Sequence, residues 1–238
     1  MKFPAPLRKG KLLKRYKRFL ADVEFDDGEV VTAHCANPGS MLGLKEPGID
    51  VWLSPAQNPE RKLKWDWQLC EIGIHGQTAT VGINTNHPNK IVYEAIEQGL
   101  VPELTGYARQ KAEVKYGKNS RIDILLSDDN KPPCYVEIKN VHLLRDPAKA
   151  EFPDSVTARG AKHLGELANV VADGGRAVMF YLVQRDDADH MQLAEDIDPT
   201  YAEAFRDAHA KGVEALVYSC KLSVEEIVLD KRINFIAP

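Results

Sequence analysis

The chain has four cysteines, Cys35, Cys70, Cys134 and Cys220, and they are far apart. No Cys-x-x-Cys pair exists, so a zinc site is not expected. Each cysteine reads as a small core residue in a reducing cytoplasm, and spacing alone leaves a disulfide open. No apolar run approaches the roughly 20 residues that a helix needs to span a bilayer, so no membrane partner is expected. The opening stretch MKFPAPLRKGKLLKRYKRFL lacks an apolar h-region and does not read as a signal peptide. The expected location is the cytoplasm. Internal repeats and low-complexity tracts are missing too.

What is present is ordinary for a globular protein. The 238 residues are 44% hydrophobic and 28% charged, enough for one large or two modest domains. Net charge is −4, which by itself points to no nucleic-acid partner. Its distribution is uneven. Residues 1–20 hold eight Lys or Arg and no acid, and the rest of the chain carries a net of −12. A basic end on an acidic body marks either a polyanion-binding surface, through Lys14, Arg15, Lys17 and Arg18, or a solvated terminus.

From Lys14 to Asn84 the signals are those of strands. RYKRFLADVEF alternates, Asp26-Asp27-Gly28 turns the chain, and EVVTAHCAN follows as its partner. A short strand is expected over 49–53, and a hairpin over 65–84 turning at His75-Gly76. Five short strands in this span imply a small barrel of the oligonucleotide/oligosaccharide-binding (OB) type. Trp65 and Trp67 share a strand face and either stack on bases or pack in the core. The domain junction falls at Asn86-His87-Pro88-Asn89, giving units 1–85 and 86–238. Asn89 caps an expected helix over 90–99 that Gly99 ends. Glu94 lies on this helix, either near a metal site or on the surface. A strand over 111–116 follows.

Arg121 to Val141, RIDILLSDDNKPPCYVEIKNV, reads as two strands joined by a polar turn. Ile122, Ile124 and Leu126 alternate with Arg121, Asp123 and Leu125. Glu137 and Lys139 share a face, with Ile138 directed to the core. Antiparallel pairing brings Asp123 to that face. Two carboxylates, completed by a strand carbonyl such as that of Ile138, suit a hard divalent cation, Mg2+ or Mn2+. Such an ion lowers the pKa of a bound water and offsets charge on a phosphate, while the lysine orients the water. The alternative reading is an edge hairpin with a charged, solvated face.

Beyond it, a helix of about 16 residues is expected between Pro153 and Gly174, with Leu164, Leu167, Ala168 and Val171 on its apolar face. Arg159 and His163 lie on another stripe, placed either for phosphate contact or for salt bridges. Ala177 to Val183 reads as a strand buried on both faces, followed by a helix over 201–210 and a strand over 213–220.

The order α-β-β-β-α-β, with Asp on the second strand and Glu-x-Lys on the third, resembles the PD-(D/E)XK nuclease-like fold. Asp123, Glu137 and Lys139 match its acid, acid and lysine, and Glu94 falls where some members carry an extra acid. The segments RYKRFLADV, AHC-x-N-x-G, VGINT, EVKYG, SRIDILL, CYVEIKNV, FPDSVTARG-x-KHL and GVEALVY resemble the sugar fermentation stimulation protein A family, in consistent order from about residue 7 to 220. The resemblance implies an N-terminal OB-like barrel and a C-terminal PD-(D/E)XK nuclease-like αβββαβ domain, an α+β or α/β chain overall. It also implies non-specific DNA binding and a regulatory role in sugar catabolism. A nuclease acting on DNA or RNA is the alternative function. One departure is Asn37-Pro38-Gly39, where members of the family carry Asn-Thr-Gly.

Overall fold

The computed structural model describes residues 1–74, 76–117 and 120–237. His75, at the expected hairpin turn, lies outside the described residues.

Six strands build the first unit: β1 (Arg8–Tyr16), β2 (Leu20–Phe25), β3 (Val30–His34), β4 (Asp50–Pro55), β5 (Trp65–Ile74) and β6 (Gln77–Gly82). They pair in the order β3-β2-β1-β4-β5-β6, and β3 also pairs with β5, which closes the first five into a barrel. The stretch expected as one strand over RYKRFLADVEF is two. Lys17 and Arg18 both have positive φ, 46° and 64°, and turn the chain back on itself. The basic run is therefore a barrel strand. Leu12 points inward while Lys11, Leu13 and Lys14 stay exposed. Of the two tryptophans, Trp67 is fully buried, with its Nε1 donating to the Leu69 carbonyl, and is core. Trp65 stands half-buried, edge-on to Phe25.

The second unit opens with α1 (His87–Glu97) and the antiparallel strands β7 (Arg109–Tyr116), β8 (Ser120–Asp128) and β9 (Lys131–Val141). The α1 helix starts earlier than expected, with Asn86 at the cap and Pro88 in the first turn, where a missing N–H costs nothing. Asn89 is therefore inside the helix. Gly99, at φ 71°, follows its end. The turn between β8 and β9 is also tighter than expected, because Pro132 and Pro133 already belong to β9.

A small excursion, β10 (Leu143–Asp146) and β11 (Ala148–Phe152), leads to α2 (Ala158–Ala172). Thr157 caps α2 by accepting from Gly160 N at 3.1 Å. Then come β12 (Arg176–Val183), β13 (Ala188–Leu193), α3 (Pro199–Ala210), β14 (Glu214–Leu222), β15 (Ile227–Arg232) and β16 (Asn234–Ile236). The main sheet runs β15-β14-β12-β9-β8-β7, with β12 parallel to both β9 and β14. Strand β12 is buried at all but its first residue, as the apolar run requires. A second sheet, β10-β11-β13-β16, was not anticipated, since its strands are short and their pairing is long-range.

One core lies under α1 and holds Ile124, Leu126, Val136 and Ile138. The other lies under α2 and α3 and holds Ile122, Leu164, Leu167 and Tyr181. Ile122 thus sits in a different core from Ile124 and Leu126. Burial alternates along β8 as expected, but the core that is faced changes across Asp123, beside Glu113 of β7 at φ 55°.

Candidate functional site

The β8–β9 ladder reads Leu126↔Cys134, Leu125↔Tyr135 and Ile124↔Val136. The next step would pair Asp123 with Glu137. There the Asp123 side chain takes over: its Oδ2 accepts from the Ile138 backbone N–H at 2.7 Å. Its Oδ1 accepts from Asn89 Nδ2 of α1 at 2.9 Å. Sequence reading missed this role of Asn89 because it placed the residue at the helix cap.

Glu137 is 2% exposed. Its Oε1 accepts from Lys139 Nζ at 2.7 Å and also bonds His163 Nδ1 of α2. Its Oε2 is buried and has no partner among the described residues. Arg159 Nε donates to His163 Nε2 at 3.3 Å. An Nε2 that accepts carries no proton, so the His163 proton is on Nδ1 and points at Glu137. His163 therefore orients Glu137 rather than presenting itself to a ligand.

Burial pushes the Asp123 carboxyl up to about 6, and the neighbouring Glu137 charge adds to the effect. Burial pushes Glu137 the same way, but the hydrogen bonds from His163 and Lys139 outweigh it and hold the group below its ordinary value. The site thus keeps two close carboxylates, one of them poorly compensated. Together with the unpartnered Glu137 Oε2, this all-oxygen donor set fits a hard divalent cation. Among the described residues, no group of three His, Cys, Asp or Glu side chains is arranged to hold an ion. Any ion held by Asp123 and Glu137 would take its other oxygens from the backbone, water or a ligand.

Glu94 is not part of this group. It pairs with the Met1 ammonium at 2.9 Å and with Lys90 at 3.8 Å, and it does not line the cleft. It lies on α1 five residues beyond Asn89, so the helix carries it to another face.

The acids lie in a cleft of about 960 Å3 between the barrel and the main sheet. Arg15 and Arg18 line it from β1 and the turn after it, Lys45 from the barrel's long loop, and Lys139 and Arg159 from the second unit. Arg15 donates to the carbonyls of Asn37 and Gly39 and lies beside the Cys35 thiol, with no carboxylate partner among the described residues. Its Nε is buried without a partner, and Arg18 makes no hydrogen bond or ion pair among the described residues. Lys14 and Lys17 are outside the cleft. Lys14 pairs with Asp22 at 3.2 Å, and Lys17 is exposed on the turn.

A second set of polar residues, not found by sequence reading, staples the two walls. Asp154 Oδ2 accepts from Met41 N at 3.0 Å and from His142 Nε2 at 3.2 Å. Ser40 Oγ donates to the Asp154 carbonyl at 2.7 Å. Behind them, Gln184 Nε2 donates to Asn140 Oδ1, and Asn140 Nδ2 meets His142 Nδ1 at 3.0 Å. The Asp154 carboxyl is held down at about 2: burial opposes this, but the bonds from His142 and Met41 prevail. A Cβ on Gly39 would lie 2.4 Å from Asp154 Oδ2, so only glycine allows this approach.

A small closed barrel followed by a mixed sheet flanked by helices, with an acid, an acid and a lysine on two neighbouring strands, defines a class of two-domain proteins. Within that class, residues 13–83 match the SfsA N-terminal OB domain and residues 86–226 the sugar fermentation stimulation protein RE domain. The chain belongs to the sugar fermentation stimulation protein (SfsA) family. A sugar fermentation stimulation protein homolog of Paramagnetospirillum magneticum is 57% identical over 229 residues, covering 96% of this chain and 95% of the relative. One from Maricaulis maris is 54% identical over 231 residues, covering 97% of each. Among solved structures, Pyrococcus furiosus SfsA in complex with Ca2+ superposes with a TM-score of 0.86 at 26% identity, covering 99% of this chain and 98% of that one. No helix among the described residues is long and apolar enough to cross a membrane.

Proposed function

We propose that this chain binds nucleic acid, DNA in the first place, along the cleft between barrel and sheet, with little dependence on sequence. The carrying observation is where unpaired arginine lies. Among the described residues, eight of the twelve arginines pair with a carboxylate. Of the four that do not, Arg15, Arg18 and Arg159 line the cleft, and the fourth is Arg121. Cationic groups left without anions around one groove fit a row of phosphates, the contacts that position a nucleic acid without reading it. A regulatory role in sugar catabolism, in keeping with the family name, would follow from such binding. Gel-shift titrations across a salt series test it: binding should fall steeply as salt rises, and salt-independent or absent binding sinks the reading.

The second reading is a Mg2+- or Mn2+-dependent phosphodiesterase acting on DNA or RNA. The unpartnered Glu137 Oε2 beside the buried Asp123 carboxyl, which burial pushes up to about 6, favours it. Asp123 and Glu137 would hold the ion, as a relative's Ca2+ complex encourages. Bound there, the ion would acidify a water and offset phosphate charge. The chain's own groups do the rest. Asn89 and the Ile138 N–H fix Asp123, and His163 fixes Glu137. Lys139 holds an ammonium at the cleft floor, where it can orient a water or steady an anion. A panel of single- and double-stranded DNA and RNA with each ion tests this reading, and no cleavage of any of them ends it for those substrates.

A further inference from the structure

The cleft's charged groups account for phosphates and an ion. They leave one residue unexplained. Val156 lines the same cleft and is 73% exposed, more than any other large hydrophobic side chain among the described residues. A lone exposed valine on a loose loop would mean little. This one is held on both sides. Two residues before it, Asp154 is bonded to Met41, Ser40 and His142. One residue after it, Thr157 N donates to Asp198 Oδ2 at 2.7 Å, while the Thr157 hydroxyl caps α2. The backbone around Val156 is therefore fixed, and its side chain is presented to the cleft. Arg159, one of the unpaired cations, sits one helical turn further on. The cleft's aromatic residue, Phe152, cannot serve as a stacking platform, since its ring packs against Tyr181 and Tyr201. Pro38, also exposed and cleft-lining, lies on the barrel loop that Asp154 staples.

We infer that Val156, aided by Pro38, is an apolar contact for a nucleic-acid base whose flanking phosphates lie on Arg159 and the barrel arginines. The cationic surroundings select the occupant: an apolar side chain among unpaired arginines suits a ligand with charged backbone and flat, apolar-faced bases. Apolar side chains that touch or part base steps are a known device for holding a distorted or single strand. The inference rests on the reading of the cleft as a nucleic-acid site and adds that the site touches bases, not only backbone.

The test compares oligo(dT) with an abasic strand of the same length and phosphate count, by fluorescence anisotropy on the full chain, with Val156→Thr and Val156→Asp beside the wild type. Val156 is surface-exposed, so both variants should fold, which their melting curves verify. The wild type should bind oligo(dT) about 5-fold more tightly than the abasic strand, a modest base contact. Val156→Thr should cut that preference to below about 2-fold while leaving abasic binding unchanged. Val156→Asp should abolish the preference and also weaken abasic binding, by placing an anion among phosphates. A 2-aminopurine in the strand should change its fluorescence on binding wild type and not on binding either variant. Equal affinity of the wild type for both strands, or a preference that survives both substitutions, overturns the base contact and leaves the nucleic-acid reading standing. Failure of the wild type to bind either strand overturns both.

Discussion

Arg145 and Arg159 carry the same side chain into opposite surroundings. Arg145 holds Glu151, 1% exposed, through two bonds at 2.7 and 2.8 Å, and holds Asp196 as well. Arg159 has only a histidine nitrogen among the described residues. The first arrangement is complete within the protein, and a guanidinium matched to two carboxylates serves stability. The second has donors to spare, as do Arg15 and Arg18 across the cleft. The same contrast holds for the acids. Glu151 is buried but fully matched, whereas Glu137 is buried with one oxygen unmatched. Three of the four arginines without a carboxylate and the unmatched Glu137 Oε2 meet at the cleft.

The contrast breaks first at Glu137. Glu137→Gln keeps an acceptor for Lys139 but loses the charge. If Asp123 and Glu137 hold a divalent cation, saturation at about a hundred times its Kd should add about 2.7 kcal/mol to stability and raise the wild-type Tm by about 5–10 °C. The variant should show no such rise, while its DNA affinity is little changed. Differential scanning fluorimetry and anisotropy check both halves. Next comes the combined substitution of Arg15, Arg18 and Arg159 by alanine. It should weaken DNA binding by about 100-fold at low salt and flatten the log–log salt slope by about 0.9 per lost phosphate contact, with Tm nearly unchanged. Arg145→Ala should do the reverse. Leaving Glu151 with Gln192 and a distant Lys149 costs about 2 kcal/mol, a drop in Tm of about 4–8 °C, with DNA affinity intact.

Acidity sharpens the comparison further. Asp123 has a folded pKa of about 6, above the roughly 3.9 of an unfolded chain, so the folded protein retains a proton that the unfolded one releases. Its contribution is therefore present at low pH and is lost as pH rises from about 4 to about 6. Glu137, held low, works the other way: its contribution is present above its unfolded value and is lost as pH falls through its folded one. Cation binding must displace the Asp123 proton, so apparent affinity should fall up to tenfold per unit below about pH 6, as calorimetry would record. Smallest of all is Lys14→Ala. Paired with Asp22 and outside the cleft, it should change DNA affinity by less than about 2-fold.

The hairpin that carries Asp123, Glu137 and Lys139 was legible because two-residue periodicity and turn chemistry are local signals. The buried β12 and the helix α2 were legible for the same reason. Three things were not. The tight turn at Lys17-Arg18 has no glycine or asparagine to announce its positive φ. The second sheet is assembled from strands of three to six residues whose partners are distant in sequence. The Asp154–His142–Asn140–Gln184 chain joins residues that only the tertiary fold brings together. The basic N-terminus reads in sequence either as a polyanion-binding surface or as a solvated terminus, but strand alternation separates Lys14 from Arg15, and of these two Arg15 reaches the cleft. Glu94 was read by its helix rather than by its position on that helix.

The Ile138 N–H donates its hydrogen bond to the Asp123 carboxylate. Where an ordinary sheet would continue on a peptide oxygen, this one ends on an oxygen that can be protonated or can share its lone pairs with an ion. Closure of the central strands and occupancy of the floor between them therefore draw on the same atom. Amide exchange at Ile138 is thus a built-in reporter: the protection of a single backbone proton registers whether the cleft is loaded, with no label added to the protein.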